Sequence, residues 1–165
     1  MTTESLGHAD PADQLQQEAL AGPTVTDPDE REREGPAPAG NRARVRLLDG
    51  PLAAPVLGRV VSMMLARADW PLDRLDAAML MCDALSAHAF AHAGGASVTF
   101  NIDAGEHEAE LRVLGLTDNG ANGLVKDAML PVVGNVIERI AERVSVEPGM
   151  HGEGPELVLA LRARY

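Results

Sequence analysis

A chain of 165 residues with 25 acidic against 14 basic side chains, net charge −11, repels phosphate backbones and anionic lipid, so neither nucleic acid nor a membrane is an expected partner. Hydrophobic residues make up 45% of the chain, enough for one core, and with only 2% aromatic the core is expected to be filled by Leu, Val, Ile, Ala and seven adaptable Met. No run approaches the roughly 18 to 20 apolar residues that span a bilayer, and the N-terminus lacks the basic start and apolar centre of a signal peptide, which implies a cytoplasmic protein.

Residues 1–42 read as a disordered tail. Up to Gly40 it holds nine acidic residues against Arg31 and Arg33. Pro11, Pro23, Pro28, Pro36 and Pro38 interrupt it, and its apolar side chains are too sparse to offset the entropy of ordering. A short helix around Gln14 to Ala21 is the one local exception. The folded domain is expected over 43–165.

Ala43 to Leu48, ARVRLL, alternates apolar and basic residues as a half-buried edge strand does, and Asp49-Gly50-Pro51 ends it. Leu52 to Ala68 then places Leu52, Val56, Val60, Met63, Met64 and Leu65 on one helical stripe, with Arg59 and Arg67 outside it. Pro71 suits the first turn of a second helix, running from about Leu72 to His92 with Leu75, Met79, Cys82, Leu85 and Ala89 inward. Gly94-Gly95 closes it. The single Cys82 cannot form an internal disulfide and reads as a small buried residue.

SVTFNI at Ser97 to Ile102 and the stretch Glu108 to Leu116 form a hairpin around Asp103-Ala104-Gly105. Asp118 to Gly123, DNGANG, is a glycine-rich loop. Met129 to Arg143 reads as a third helix facing inward with Val133, Val136, Ile137 and Ile140. Val144 to Val146 and Leu157 to Leu161 are the last strands. The order strand, helix, helix, hairpin, helix, hairpin implies an α/β two-layer sandwich, a mixed β-sheet covered on one face by about three helices.

This order, together with VIERIAERVSVEPG at Val136 to Gly149, resembles the GHKL (Bergerat) ATP-binding fold of histidine kinases, Hsp90 and gyrase. Within it the chain is most similar to the short bacterial anti-sigma factor kinases of the partner-switching type. The resemblance covers about Ala43 to Tyr165 and implies ATP or ADP with magnesium as cofactor if the site functions. It also implies a sigma factor or a STAS-type antagonist as partner, with a homodimer as a further option.

The family's second helix presents a Glu as general base and, one turn later, an Asn that holds magnesium. Two registers fit. Asp83 can take the base position with Ala87 at the Asn position, or Ala84 can take it with His88 as the metal-side residue and His92 near the helix end. Neither register restores both groups, and imidazole is a poor ligand for a hard ion such as magnesium. Asp118, Gly120 and Gly123 match the family's D-x-G loop around adenine, although Asn-Gly is also an ordinary turn.

The family's phosphate-binding glycine pair falls on Pro131, Val132 and Val133, with only Gly134 nearby. Proline removes a donor and valine crowds the backbone there. Lys126 reads as a solvated side chain. His88 and His92, four apart, have a metal-ligand spacing but no third ligand in the sequence. Taken together, the resemblance implies a regulator that binds protein partners with weak or lost kinase activity. The alternative is an active protein serine/threonine kinase using Asp83.

Overall fold

The computed structural model describes residues 40–149 and 154–164. The reading of 1–42 as a disordered tail therefore lies outside the described residues, except for its last three. Among the described residues the chain is an α/β sandwich. Its five-stranded sheet runs β1 (Arg42–Leu48), β2 (Ser97–Ala104), β3 (Glu108–Leu114), β7 (Glu156–Arg162) and β6 (Arg143–Glu147) in spatial order. Every neighbouring pair is antiparallel. The expected mixed sheet is thus corrected to an antiparallel one: each added strand arrives by a hairpin or lies beside a hairpin partner running the other way, so no parallel crossover is needed.

The strand alternation fixes one face of the sheet as core. Val45 pairs with Phe100, Phe100 with Val113, and Val113 with Leu157. Leu47, Val98, Ile102, Leu111, Leu159 and Leu161 share that face. Phe100 is wholly buried, and its truncation to Ala is expected to cost about 3–5 kcal/mol.

Two long helices, α1 (Ala53–Arg67) and α2 (Leu72–His88), complete the core, and a 3₁₀ turn (Ala89–His92) follows α2. Trp70, between them, donates from Nε1 to the Gly105 carbonyl at 2.7 Å, fastening the helix turn to the β2–β3 turn. The buried stripe of α1 is Ala53, Leu57, Gly58, Val61, Met64 and Leu65. Leu52, Val56 and Met63, expected inward, are exposed. The buried stripe is thus rotated around the helix from the one that the spacing of large side chains predicts. On α2, Ala78, Met81, Cys82, Ala84, Leu85 and Ser86 are buried, while Met79 faces out.

Two later elements differ from the sequence reading. The stretch read as a glycine-rich loop continues into helix α3 (Gly120–Asp127). The stretch read as one helix from Met129 is a small hairpin, β4 (Met129–Leu130) and β5 (Gly134–Asn135), followed by the short helix α4 (Val136–Ile140). Pro131 inside a helix would cost about 3 kcal/mol, so the chain turns there instead. Asn135 then caps α4, its Oδ1 accepting from the Glu138 N–H at 3.2 Å. The described chain thus has four α-helices rather than about three.

Candidate functional site

The polar centre of the helical side forms where the 3₁₀ turn meets α3. The His92 carbonyl accepts from the Thr117 N–H at 3.0 Å and from Thr117 Oγ1 at 3.3 Å. The His92 ring pairs through Nε2 with Asp127 Oδ2 at 2.8 Å, tying the end of the 3₁₀ turn to the last residue of α3. Gly120 and Gly123 let this happen. A Cβ on Gly120 would lie 2.5 Å from the His92 carbonyl oxygen, and one on Gly123 would lie 2.5 Å from His92 Cε1. Both glycines are filled in by the protein itself, which is why α3 tolerates two poor helix formers at roughly 1 kcal/mol each.

Around this centre the structure places the residues singled out from the sequence as follows. Asp83 stands on the solvent side of α2, and no ion pair or hydrogen bond joins it to another described residue. Ala87 is exposed beside it. Ala84 points the other way and is wholly buried, and His88 is half-buried at the helix end. Of the two registers, Ala84 with His88 is therefore the one that faces the interior, and there the base position is a methyl group packed into the core. Asp83 is not brought together with Asp118, Gly120 or Gly123 by any bond among the described residues.

Asp118 is exposed ahead of α3. Gly120 donates from its N–H to the Thr117 carbonyl at 2.8 Å, and Gly123 donates to the Asn119 carbonyl at 3.0 Å. Gly134 belongs to the β4–β5 hairpin, with φ of 82° and open space where a Cβ would be. The positive φ favours glycine in this left-handed turn. Lys126 is exposed.

His88 and His92 do not present a joint face, because α-helical geometry ends at His88 and the 3₁₀ turn carries His92 toward Asp127. Among the described residues no group of three or more His, Cys, Asp or Glu side chains is arranged to hold a metal. Cys82 is buried, and desolvation, with the Asp83 carboxylate second, pushes its thiol up to about 12 from an ordinary 9.0. It is inert as a nucleophile near neutral pH.

A magnesium nucleotide does not fit this set of residues. In the register that faces the interior the position for a carboxylate base is the core residue Ala84, and in the other it is Asp83, on the solvent side. The glycines of the D-x-G stretch are occupied by His92. The helix after the hairpin is only 5 residues long, and its N-terminus is capped from within by Asn135.

The opposite face of the sheet carries polar features that the sequence reading left without a role. Arg112 on β3 is held by Glu110 at 2.6 Å, Glu147 at 2.8 Å and the buried Glu156 at 3.4 Å. The hydrogen bond that Arg112 donates to the Glu110 carboxylate is the chief cause that raises its already high pKa. Asp127, the partner of His92, was also missed. Its only sequence signal is a carboxylate one turn after Gly123, which has no meaning until α3 is known to be a helix.

Comparison with known proteins supplies no family: a scan against protein-family models returned no match, and no curated protein matches the chain. Among the described residues no helix is long and apolar enough to cross a membrane.

Proposed function

We propose that this chain is a regulator of GHKL-like descent that acts by binding protein partners, of the anti-sigma factor or partner-switching type, and that phosphoryl transfer has been lost from it. The observation that carries this reading is the use of Gly120 and Gly123 as seats for His92. The two positions where a nucleotide would need bare backbone are spent on internal packing, while the sheet and the outer helix faces stay available to a protein. The buried Ala84 supports the same reading, since a general base there would need a new carboxylate in the core. The partner implied by the resemblance is a sigma factor or a STAS-type antagonist.

Calorimetry of the full chain with ATP and magnesium tests the loss of nucleotide chemistry. No heat at millimolar nucleotide is the expected result. Magnesium-dependent binding that disappears in Asp83→Ala would overturn it and favour an active protein serine/threonine kinase. A pull-down from the native host tests the partner: recovery of a sigma factor or an antagonist protein supports the class, and recovery of neither counts against it.

A further inference from the structure

The outer face of β1 is a basic stripe within an acidic protein. Arg42, Arg44 and Arg46 alternate with Ala43, Val45 and Leu47, so all three arginines project from the sheet face away from the helices, about 6.8 Å apart along the strand. All three are exposed. Arg42 is paired across the strand with Asp103 at 2.7 Å, and Arg46 donates to Ser97 Oγ at 2.9 Å. Arg44 has no hydrogen-bond or ion-pair partner among the described residues. It stands between two clefts, one of about 480 Å³ toward Asp103 and one of about 600 Å³ toward Gly94 and Gly115, and contributes to the wall of both. Leu48 continues the same face and is 69% exposed.

β1 is also an edge. Its single strand neighbour among the described residues is β2, which leaves its other side as a ladder of unpaired backbone groups. We propose that β1 takes an extended acidic segment of a partner protein as an added strand, with carboxylates at every second residue lying beside Arg42, Arg44 and Arg46 and an apolar side chain beside Leu48. Alternation decides the spacing: a strand in register presents every second side chain to this face, and opposite charges facing each other across strands attract. A second copy of this chain is a poor occupant, because antiparallel pairing of β1 with itself sets arginine beside arginine. Nucleic acid is disfavoured by the net charge of −11. The inference stands whether or not the chain regulates a sigma factor, since it rests on the sheet edge and not on the helical side.

The test is fluorescence anisotropy of the full chain, in about 50 mM salt where screening is weak, with the labelled peptide Val-Thr-Glu-Thr-Glu-Thr-Glu. Antiparallel pairing sets its Val beside Leu48 and its three Glu beside Arg46, Arg44 and Arg42 in turn. Saturable binding is expected, weakened about tenfold by Arg44→Glu, which turns one facing pair from attraction to repulsion. The permuted peptide Val-Thr-Thr-Thr-Glu-Glu-Glu, of identical composition, is expected to bind several-fold more weakly, and Leu48→Asp to weaken the first peptide. Arg44 is exposed, so a thermal melt of Arg44→Glu is expected to match the parent and exclude misfolding. Equal affinity for the two peptides would reduce the site to charge alone and overturn strand addition. Absence of saturable binding, indifference to Arg44→Glu, or tighter binding of an oligothymidylate than of the peptide would each overturn it as well.

Discussion

Gly123→Ala separates the packing role of the glycine from a ligand-binding one. In an isolated helix the change would gain about 0.8–1 kcal/mol from propensity. Here the new methyl group falls 2.5 Å from His92 Cε1 and 2.6 Å from Nδ1, so the ring must move or the helix must shift. Overpacking of this kind costs about 1–3 kcal/mol. Displacing the ring also breaks its bond to Asp127, which is half-exposed and contributes no more than about 1 kcal/mol.

The balance is a net loss of about 1–2 kcal/mol, or roughly 3–10 °C in Tm for a domain of this size. In a His92→Ala background the obstacle is gone, and the same Gly123→Ala change is expected to stabilise by about 0.5–1 kcal/mol. The sign therefore reverses between backgrounds, and urea unfolding of the four proteins in a double-mutant cycle measures it. Stabilisation by Gly123→Ala in both backgrounds would refute the packing role. Paired with loss of ATP binding, that result would return the glycine to a nucleotide site.

Cys82 gives a pH dependence of defined sign. Its folded pKa of about 12 lies above the ordinary 9.0, so its contribution is complete below about pH 9 and is lost as pH rises toward 12, where the unfolded chain releases a proton that the folded one keeps. Between pH 8.5 and 10.5 the parent is expected to lose about 2 kcal/mol more than Cys82→Ala does, read from urea unfolding at both pH values; parallel pH profiles would count against burial of the thiol. Val132 sits at the tip of the β4–β5 hairpin with φ of 70°, a left-handed conformation that a β-branched residue adopts at a cost, and its side chain is fully exposed. Val132→Gly is expected to raise stability by about 0.5–1 kcal/mol in thermal melts, the strain relieved exceeding the added chain entropy; a fall in Tm would show that the side chain has a contact holding it there.

The amino-acid sequence by itself determined the strands and the inward face of the sheet. Alternation of Val45, Val98, Phe100 and Ile102 with polar neighbours needs only a period of two, which any pairing partner preserves. It also marked the two long helices and the turns at Gly50-Pro51 and Trp70-Pro71. Pro131 carried the signal that breaks the stretch after Met129, and that signal was outweighed by the apolar spacing around it. Only the tertiary structure decided which residues of α1 face inward: Ala53, Leu57, Val61, Met64 and Leu65 are buried, whereas Leu52 and Val56 are exposed.

The meaning of the glycines was decided at the same level. In sequence, Gly120 and Gly123 resemble places kept bare for a ligand, and a bare Cα records only that something comes close. The fold supplies the approaching group, the backbone and ring of His92, from nearly thirty residues earlier in the chain. Likewise, the basic alternation of β1 was legible as a half-buried edge strand, and β1 is at an edge of the sheet. The place of Arg44 between two clefts, without a partner among the described residues, depends on the arrangement of strands that are distant in sequence. Local periodicity sets which way a side chain points; what it meets there is set by non-local packing.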